Sequence, residues 1–257
     1  MTPYSREKGP ARIRPSRFDR LLRPIHTWVW TDPHRRARKL LRFAETEASG
    51  GQDLSRAAEL TTDGLLRRLF LRHALDEQRH AELFRKRGRA LVRSLDGAAA
   101  TSFEANWFAP GERGLDDLRV DGENDAALLA FLHLSEKAAA GRFEIYREVL
   151  TVDPETQELF HTILRDEAFH MNYTHRQLTR VAPRKWSAVL WKARLGRLWK
   201  AYLRIAAAVA GLLGTLILLL QYALLLPPFV LLARRHARRE PQGWFPARPP
   251  APLRSQY

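Results

Sequence analysis

A chain of 257 residues with no cysteine is long enough to bury one sizeable core. It has no disulfide, thiolate zinc site, iron–sulfur cluster or cysteine nucleophile, so any metal must be held by oxygen and nitrogen. The net charge of +15 is uneven: residues 1–42 hold twelve basic and three acidic side chains, residues 183–257 hold thirteen and one, and the middle of the chain is left at −6. Such a surplus, placed in two flanks around an acidic body with a long apolar run inside one flank, fits anionic lipid better than nucleic acid, which is not expected as a partner.

The opening stretch, "MTPYSREKGPARIRPSR", has no apolar h-region and reads as no secretory signal. Residues 1–33 are expected to be a basic, largely disordered segment. From there the apolar positions recur with a helical period, predicting helices over 34–60, 63–95, 123–151 and 154–181. Asp63 and Asp153 precede helices as N-caps, and Pro154 occupies a first helical position, where its missing N–H costs nothing. Short turns join the first pair and the last pair, while a longer crossover near 96–122, containing "FAPGERG", joins the two hairpins. No strand pattern competes, so residues 34–182 are expected to be an all-α four-helix bundle.

Residues 183–204 interleave Trp186, Trp191, Trp199 and Tyr202 with lysine and arginine. They read as a basic amphipathic helix lying on a membrane surface, although the last helix of a soluble domain can look the same. Residues 205–233 contain no charged side chain and exceed the roughly 20 apolar residues that a span requires. The alternative is a re-entrant element bent at Pro227 and Pro228. Cations flank the run on both sides, with a mild bias toward a cytoplasmic body at an inner membrane. The basic, proline-rich tail 234–257 is expected to be disordered.

Within the bundle two E-x-x-H pairs stand out, Glu77 with His80 and Glu167 with His170. Residues three apart share a helix face, so each pair offers a carboxylate and an imidazole to one point. Both pairs lie on apolar stripes: Phe70, Ala74, Ala81 and Phe84 around the first, Phe160, Ile163, Leu164 and Met171 around the second. A third pair, Glu158 with His161, falls on the opposite face from Glu167 and is a coincidence of spacing. Glu136 shares the stripe of Leu129, Leu132, Ala140 and Phe143. In the first helix Glu47 shares the stripe of Leu40, Ala44, Gly51 and Leu54, and Glu45 is the less favoured candidate. His73 and His133, one turn before Glu77 and Glu136, are less expected as further ligands. Gly50 and Gly51 either open space beside Glu47 or kink the helix.

Each hairpin thus repeats a glutamate, about thirty residues, and D-E-x-x-H. This pattern resembles the ferritin-like di-iron carboxylate superfamily, whose members include bacterioferritin, rubrerythrin, aryl-amine oxygenases and the membrane-bound alternative oxidases, over roughly residues 34–181. The resemblance implies that Glu77 and Glu167 bridge two metal ions, that Glu47 and Glu136 are terminal, and that His80 and His170 each complete one shell. Asp76 and Asp166 would then accept the imidazole N–H groups. It also implies two iron ions or a manganese–iron pair, dioxygen, a separate reductase, and hydroxylation, desaturation or oxidation of a small apolar substrate drawn from lipid, quinone or a biosynthetic intermediate. Four carboxylates would balance the charge of two ferrous ions. A ferroxidase or iron-binding membrane protein is the alternative, and a non-catalytic membrane-tethered scaffold a further one. A tRNA-modifying enzyme, also represented in the superfamily, is disfavoured by the apolar run.

Overall fold

The computed structural model describes residues 13–95 and 120–237. Among them the chain forms seven helices and no strand: α1 (Arg17–Leu21), α2 (Arg23–Thr31), α3 (Pro33–Leu60), α4 (Gly64–Ser94), α5 (Asp125–Val149), α6 (Pro154–Val181) and α7 (Trp186–Ala237). Two compact units result, Met1–Lys200 with the helical bundle and Ala201–Tyr257 with most of the apolar helix.

The four long helices α3 to α6 start where side chains satisfy their first N–H groups. Asp63 accepts from the backbone of Leu65 and Leu66 at 2.8 and 3.1 Å, Asn124 from Ala127 at 2.9 Å, and Asp153 from Thr156 at 3.0 Å. Each such cap is worth about 1 kcal/mol. α3 packs on α4 and α5 on α6 as helical hairpins. Of the expected crossover, residues 96–119 lie outside the described residues.

Asp153 also joins the two hairpins. It receives the Arg36 guanidinium of α3 at 2.9 Å and that of Arg87 of α4 at 2.6 Å, while Arg87 Nε donates to Thr156 at 2.8 Å. Burial tends to raise the Asp153 pKa, but the hydrogen bonds from Thr156 and the two arginines outweigh it and hold the carboxyl below its ordinary value. Gly51 supplies a close approach within the first hairpin: a Cβ there would meet the Ala74 carbonyl oxygen at 3.1 Å. α3 continues as helix through Gly50 and Gly51, so Gly51 brings α3 against α4 rather than breaking it.

Buried apolar residues form two clusters. One gathers around Trp30, Phe84, Phe143 and Phe160, the other around Leu54, Phe70, Leu129 and Leu178. On α4 and α5 the two clusters are separated along the helices by Glu77 and Glu136, and on α6 Glu167 lies between Leu164 and Met171 of the first cluster, one to three turns before Tyr173 and Leu178 of the second. The carboxylates therefore occupy a polar layer between two greasy ones.

The expected disorder of residues 1–33 is corrected over part of its length. Residues 17–31 form α1 and α2, and Trp30 is fully buried, its ring 5.0 Å from Tyr146 and 5.2 Å from Phe160. Ser16 caps α1 by accepting the Asp19 N–H at 3.0 Å, and Arg36 donates to the Trp30 carbonyl at 2.6 Å. The many arginines of this stretch mask the single aromatic anchor that fixes it. Residues 1–12 lie outside the described residues.

α7 runs for 52 residues without interruption, so the expected boundary between 204 and 205 is not a break. In its first turns Leu190 is buried in the second apolar cluster and the Trp186 ring lies 5.4 Å from His175, while Trp191, Leu195, Leu198 and Trp199 are exposed. This stretch therefore packs on the bundle with one face and presents an aromatic, apolar face on the other. In the second unit the most apolar window of eighteen residues has a mean hydropathy of 2.3 and none of it is buried, so the helix is long and apolar enough to cross a membrane. Pro227 and Pro228 lie inside the helix, and the chain makes no return at them. Residues 234–237 complete α7, and the rest of the expected tail lies outside the described residues.

Candidate metal centre

The polar layer collects Glu47 from α3, His73, Glu77 and His80 from α4, Glu136 from α5, and Glu167 and His170 from α6. His73, His80 and His170 are fully buried, and Glu77, Glu136 and Glu167 nearly so. Ligand atoms of His73, Glu77, Glu136 and His170 lie within 4.8 Å of one another, and so do those of Glu47, Glu77 and His80. Glu77 belongs to both groups. Glu167 belongs to neither, but its Oε1 lies 4.0 Å from His80 Nδ1 and its carboxyl pairs with that of Glu136.

The two histidines of the D-E-x-x-H motifs are oriented across the bundle. His80 Nε2 donates to Asp166 at 3.1 Å, and His170 Nε2 donates to Asp76 at 3.3 Å, so the aspartate of each motif holds the histidine of the other. Arg79 reaches both aspartates, at 3.2 and 2.7 Å. The hydrogen bond from His80 depresses the Asp166 pKa and that from His170 depresses Asp76, with Arg79 adding to both. An ionised acceptor on Nε2 fixes the tautomer. It leaves a lone pair on each Nδ1, directed inward at 3.7 Å from Glu77 in the case of His170.

Those two Nδ1 atoms and Glu167 Oε2 are buried without a hydrogen-bond partner. Orphaned polar atoms in a core cost about 1–3 kcal/mol each. The carboxylates are as poorly served by protein alone. Burial, then Glu77, pushes Glu47 well above its ordinary value; burial raises Glu77 to about 8; burial, then Glu136 and Glu77, raises Glu167. Burial also works to raise Glu136, but His73 and His170 outweigh it. Glu47 and Glu77 pair as acid and carboxylate, as do Glu167 and Glu136. Burial, then His73, lowers His170 to about 4, which keeps the imidazole neutral. Inward lone pairs, shared protons and orphaned oxygens are what a cation would satisfy, and the donor set of oxygen and imidazole fits iron or manganese.

His73, a less expected candidate, is brought into the cluster. Its Nε2 lies 3.0 Å from Glu77 Oε1 and 3.4 Å from Glu136 Oε1, and its Nδ1 meets the Tyr173 hydroxyl at 2.6 Å. Where Tyr173 accepts, Nε2 offers a lone pair; where Tyr173 donates, Nε2 donates to the carboxylates. Glu45 and His133 do not join. Glu45 pairs with Arg85 at 3.2 Å, and His133 Nδ1 donates to the Met171 carbonyl at 3.2 Å. Glu158 and His161 are exposed.

Sequence reasoning missed Tyr173 and Arg79. Tyr173 sits one turn beyond His170 on the same stripe, so extending that stripe would have found it. Arg79 lies between two named residues, and its role depends on how the hairpins face each other. A cavity of about 370 Å³ reaches the cluster from between α3 and α5, with Glu47, Glu77, Glu136 and Glu167 among its lining and Gly50 beside Glu47 in its wall.

No protein-family model, characterised protein or solved structure matches the chain.

Proposed function

We propose that the bundle is a ferritin-like di-metal carboxylate protein and that the chain is a membrane-associated oxidoreductase acting with dioxygen on an apolar substrate. The observation that carries this reading is the pair of inward, unpartnered imidazole nitrogens facing three buried carboxylates and the half-buried Glu47. Glu47, Glu77, Glu136, Glu167, His80 and His170 would hold two iron ions, or manganese with iron, and His73 is placed to add a seventh donor. Metals held there would supply the electrons and open positions through which dioxygen is activated.

The protein's own contribution is positioning. Asp76 and Asp166 keep both imidazoles in the tautomer whose Nδ1 is a ligand. Tyr173 holds the His73 ring. The apolar clusters flank the layer, which strengthens the charge interactions on its buried side. The cavity beside Glu47 and Gly50 admits an organic molecule, which favours oxidation of a substrate over simple iron oxidation. Helix α7 would keep the bundle near its lipid or lipid-derived substrate, and a separate reductase would return electrons.

The test is metal analysis of full-length protein in detergent, followed by anaerobic reduction and mixing with dioxygen. Two metals per chain and a transient near-ultraviolet band are expected, with loading lost in Glu77→Ala and Glu167→Ala while helical content is kept. Two metals retained in either variant would remove the ligand assignment.

A further inference from the structure

The cavity that reaches the metal cluster is polarised along its length. Following α3 from its N-terminal half, its lining passes Lys39 and Arg42, then Phe43, then Glu47; following α5 backwards, it passes Arg142, then Ala139, then Glu136. Three cations thus stand at one end and the carboxylate layer opens further along, with apolar wall between them. At 1.5 Å per residue, Lys39 is about 12 Å from Glu47 along its helix and Arg142 about 9 Å from Glu136.

Lys39 is the informative member. Its ammonium lies 4.9 Å from the centre of the Phe43 ring, and burial, then Arg142 and Arg42, lowers its pKa to about 8. An ammonium half-removed from water beside two guanidinium groups, and over a ring, is costly by itself. The glutamates of the cavity do not relieve it, because they sit one to two helical turns or more away and are engaged with each other and with the histidines, and Asp53 lies about 21 Å further along α3.

Resting on the oxidoreductase reading above, we infer that the substrate is an anionic amphiphile whose carboxylate or phosphate is held by Lys39, Arg42 and Arg142 while its alkyl chain runs along Phe43 and Ala139 to the metal layer. The spacing of about 9–12 Å between head and metals then acts as a ruler. It selects a carbon several bonds from the head for oxidation, and excludes neutral or cationic chains of the same length. The anionic head is the same chemistry whether it belongs to a free fatty acid or to a membrane lipid.

The experiment is equilibrium dialysis of radiolabelled octanoate against the full chain in neutral detergent, with the protein both metal-loaded and stripped by chelator. Octanoate is expected to bind in both states, to be displaced by octyl phosphate but not by octanol or octylamine, and to lose about tenfold or more in affinity in Lys39→Gln/Arg142→Gln. The charge-conserving Lys39→Arg/Arg142→Lys variant should restore it. Displacement by mixed micelles containing phosphatidic acid, and not by phosphatidylcholine alone, assigns the head to a lipid; no displacement by either assigns it to a free amphiphile. Binding that survives the double glutamine variant, or that disappears when the metals are stripped, overturns the inference, since the carboxylate would then be bound elsewhere or by the metals themselves. A chain that takes up no metal yet binds octanoate through these cations would instead overturn the oxidoreductase reading and leave the anion site standing.

Discussion

Replacing Asp166 by asparagine isolates what the crossed aspartate–histidine pairs do. The side chain keeps its shape and one acceptor oxygen, but the charge that fixes the His80 tautomer at 3.1 Å is lost. An imidazole free to carry its proton on Nδ1 places a hydrogen where a metal must bind. Loss of such an outer partner lowers metal affinity by about 10–100-fold, or about 1.4–2.7 kcal/mol. Arg79, half exposed, loses one of two anionic partners, and solvent screening makes that loss small. The metal-free protein should lose less: neutralising Asp166 forfeits the hydrogen bonds from His80 and Arg79 that hold its carboxylate ionised, but Asp166 is also among the charges that raise the Glu77 pKa, so part of that loss is returned. A competition titration with a metal chelator, run beside melting curves with and without metal, reads both effects. Affinity within twofold of the natural protein, or a fall in melting temperature of the metal-free variant comparable to that of the loaded one, would refute the tautomer argument.

Glu47→Gln should reduce metal loading measured by mass spectrometry, whereas Glu45→Gln, whose partner is Arg85 on the outside of the bundle, should load normally. Asp153→Ala removes a helix cap and leaves Arg36 and Arg87 without their shared buried carboxylate; a loss of about 3–5 kcal/mol is expected in denaturant melts. The pH dependence of the metal-free protein follows from opposite shifts. His170, lowered from 6.5 to about 4, costs stability below 6.5 and ceases to do so above it, while Glu77, raised from 4.5 to about 8, holds a proton that the unfolded chain gives up, so its contribution falls as pH rises from 4.5 to 8. Between pH 6.5 and 8 this histidine no longer contributes while Glu77, with Glu47 and Glu167 raised in the same direction, does, so denaturant stability of the metal-free protein should fall across that window; metal, which binds the deprotonated ligands, should reverse the slope.

The candidate ligands were legible in the sequence because helical periodicity ties spacing to direction. Glu77 and His80, like Glu167 and His170, stand three positions apart, and the stripes around them state which face is inward. The same logic separated Glu47 from Glu45. The four long helices were legible to within two or so residues, because Asp63, Asp153 and Pro154 mark starts by local chemistry alone. What the sequence hid depends on register between helices. That Asp76 reaches His170 and Asp166 reaches His80, rather than each serving its own motif, is a fact about how two hairpins face each other. Trp30 was hidden for a different reason: α2 is too short for a period to emerge, and its anchor is one ring among arginines.

The arrangement of the layer makes stability and function draw on the same atoms. A bundle built only to fold would fill positions 77, 136 and 167 with leucine, joining the two apolar clusters into one continuous core and gaining about 1.5–3 kcal/mol per side chain. Instead those positions carry acids that must hold protons, or share them, to be tolerated where they are. The crossed hydrogen bonds to Asp76 and Asp166 add to that cost, since they spend the outer nitrogen of each imidazole and leave the inner one bare. A group of side chains that is unfavourable in the empty protein, yet pre-arranged in the protonation and tautomer states that a cation requires, is readily accounted for when a cation completes it. On that ground metal binding is expected to stabilise the fold as well as to equip it, and stripping the metals should lower the melting temperature without removing the helices.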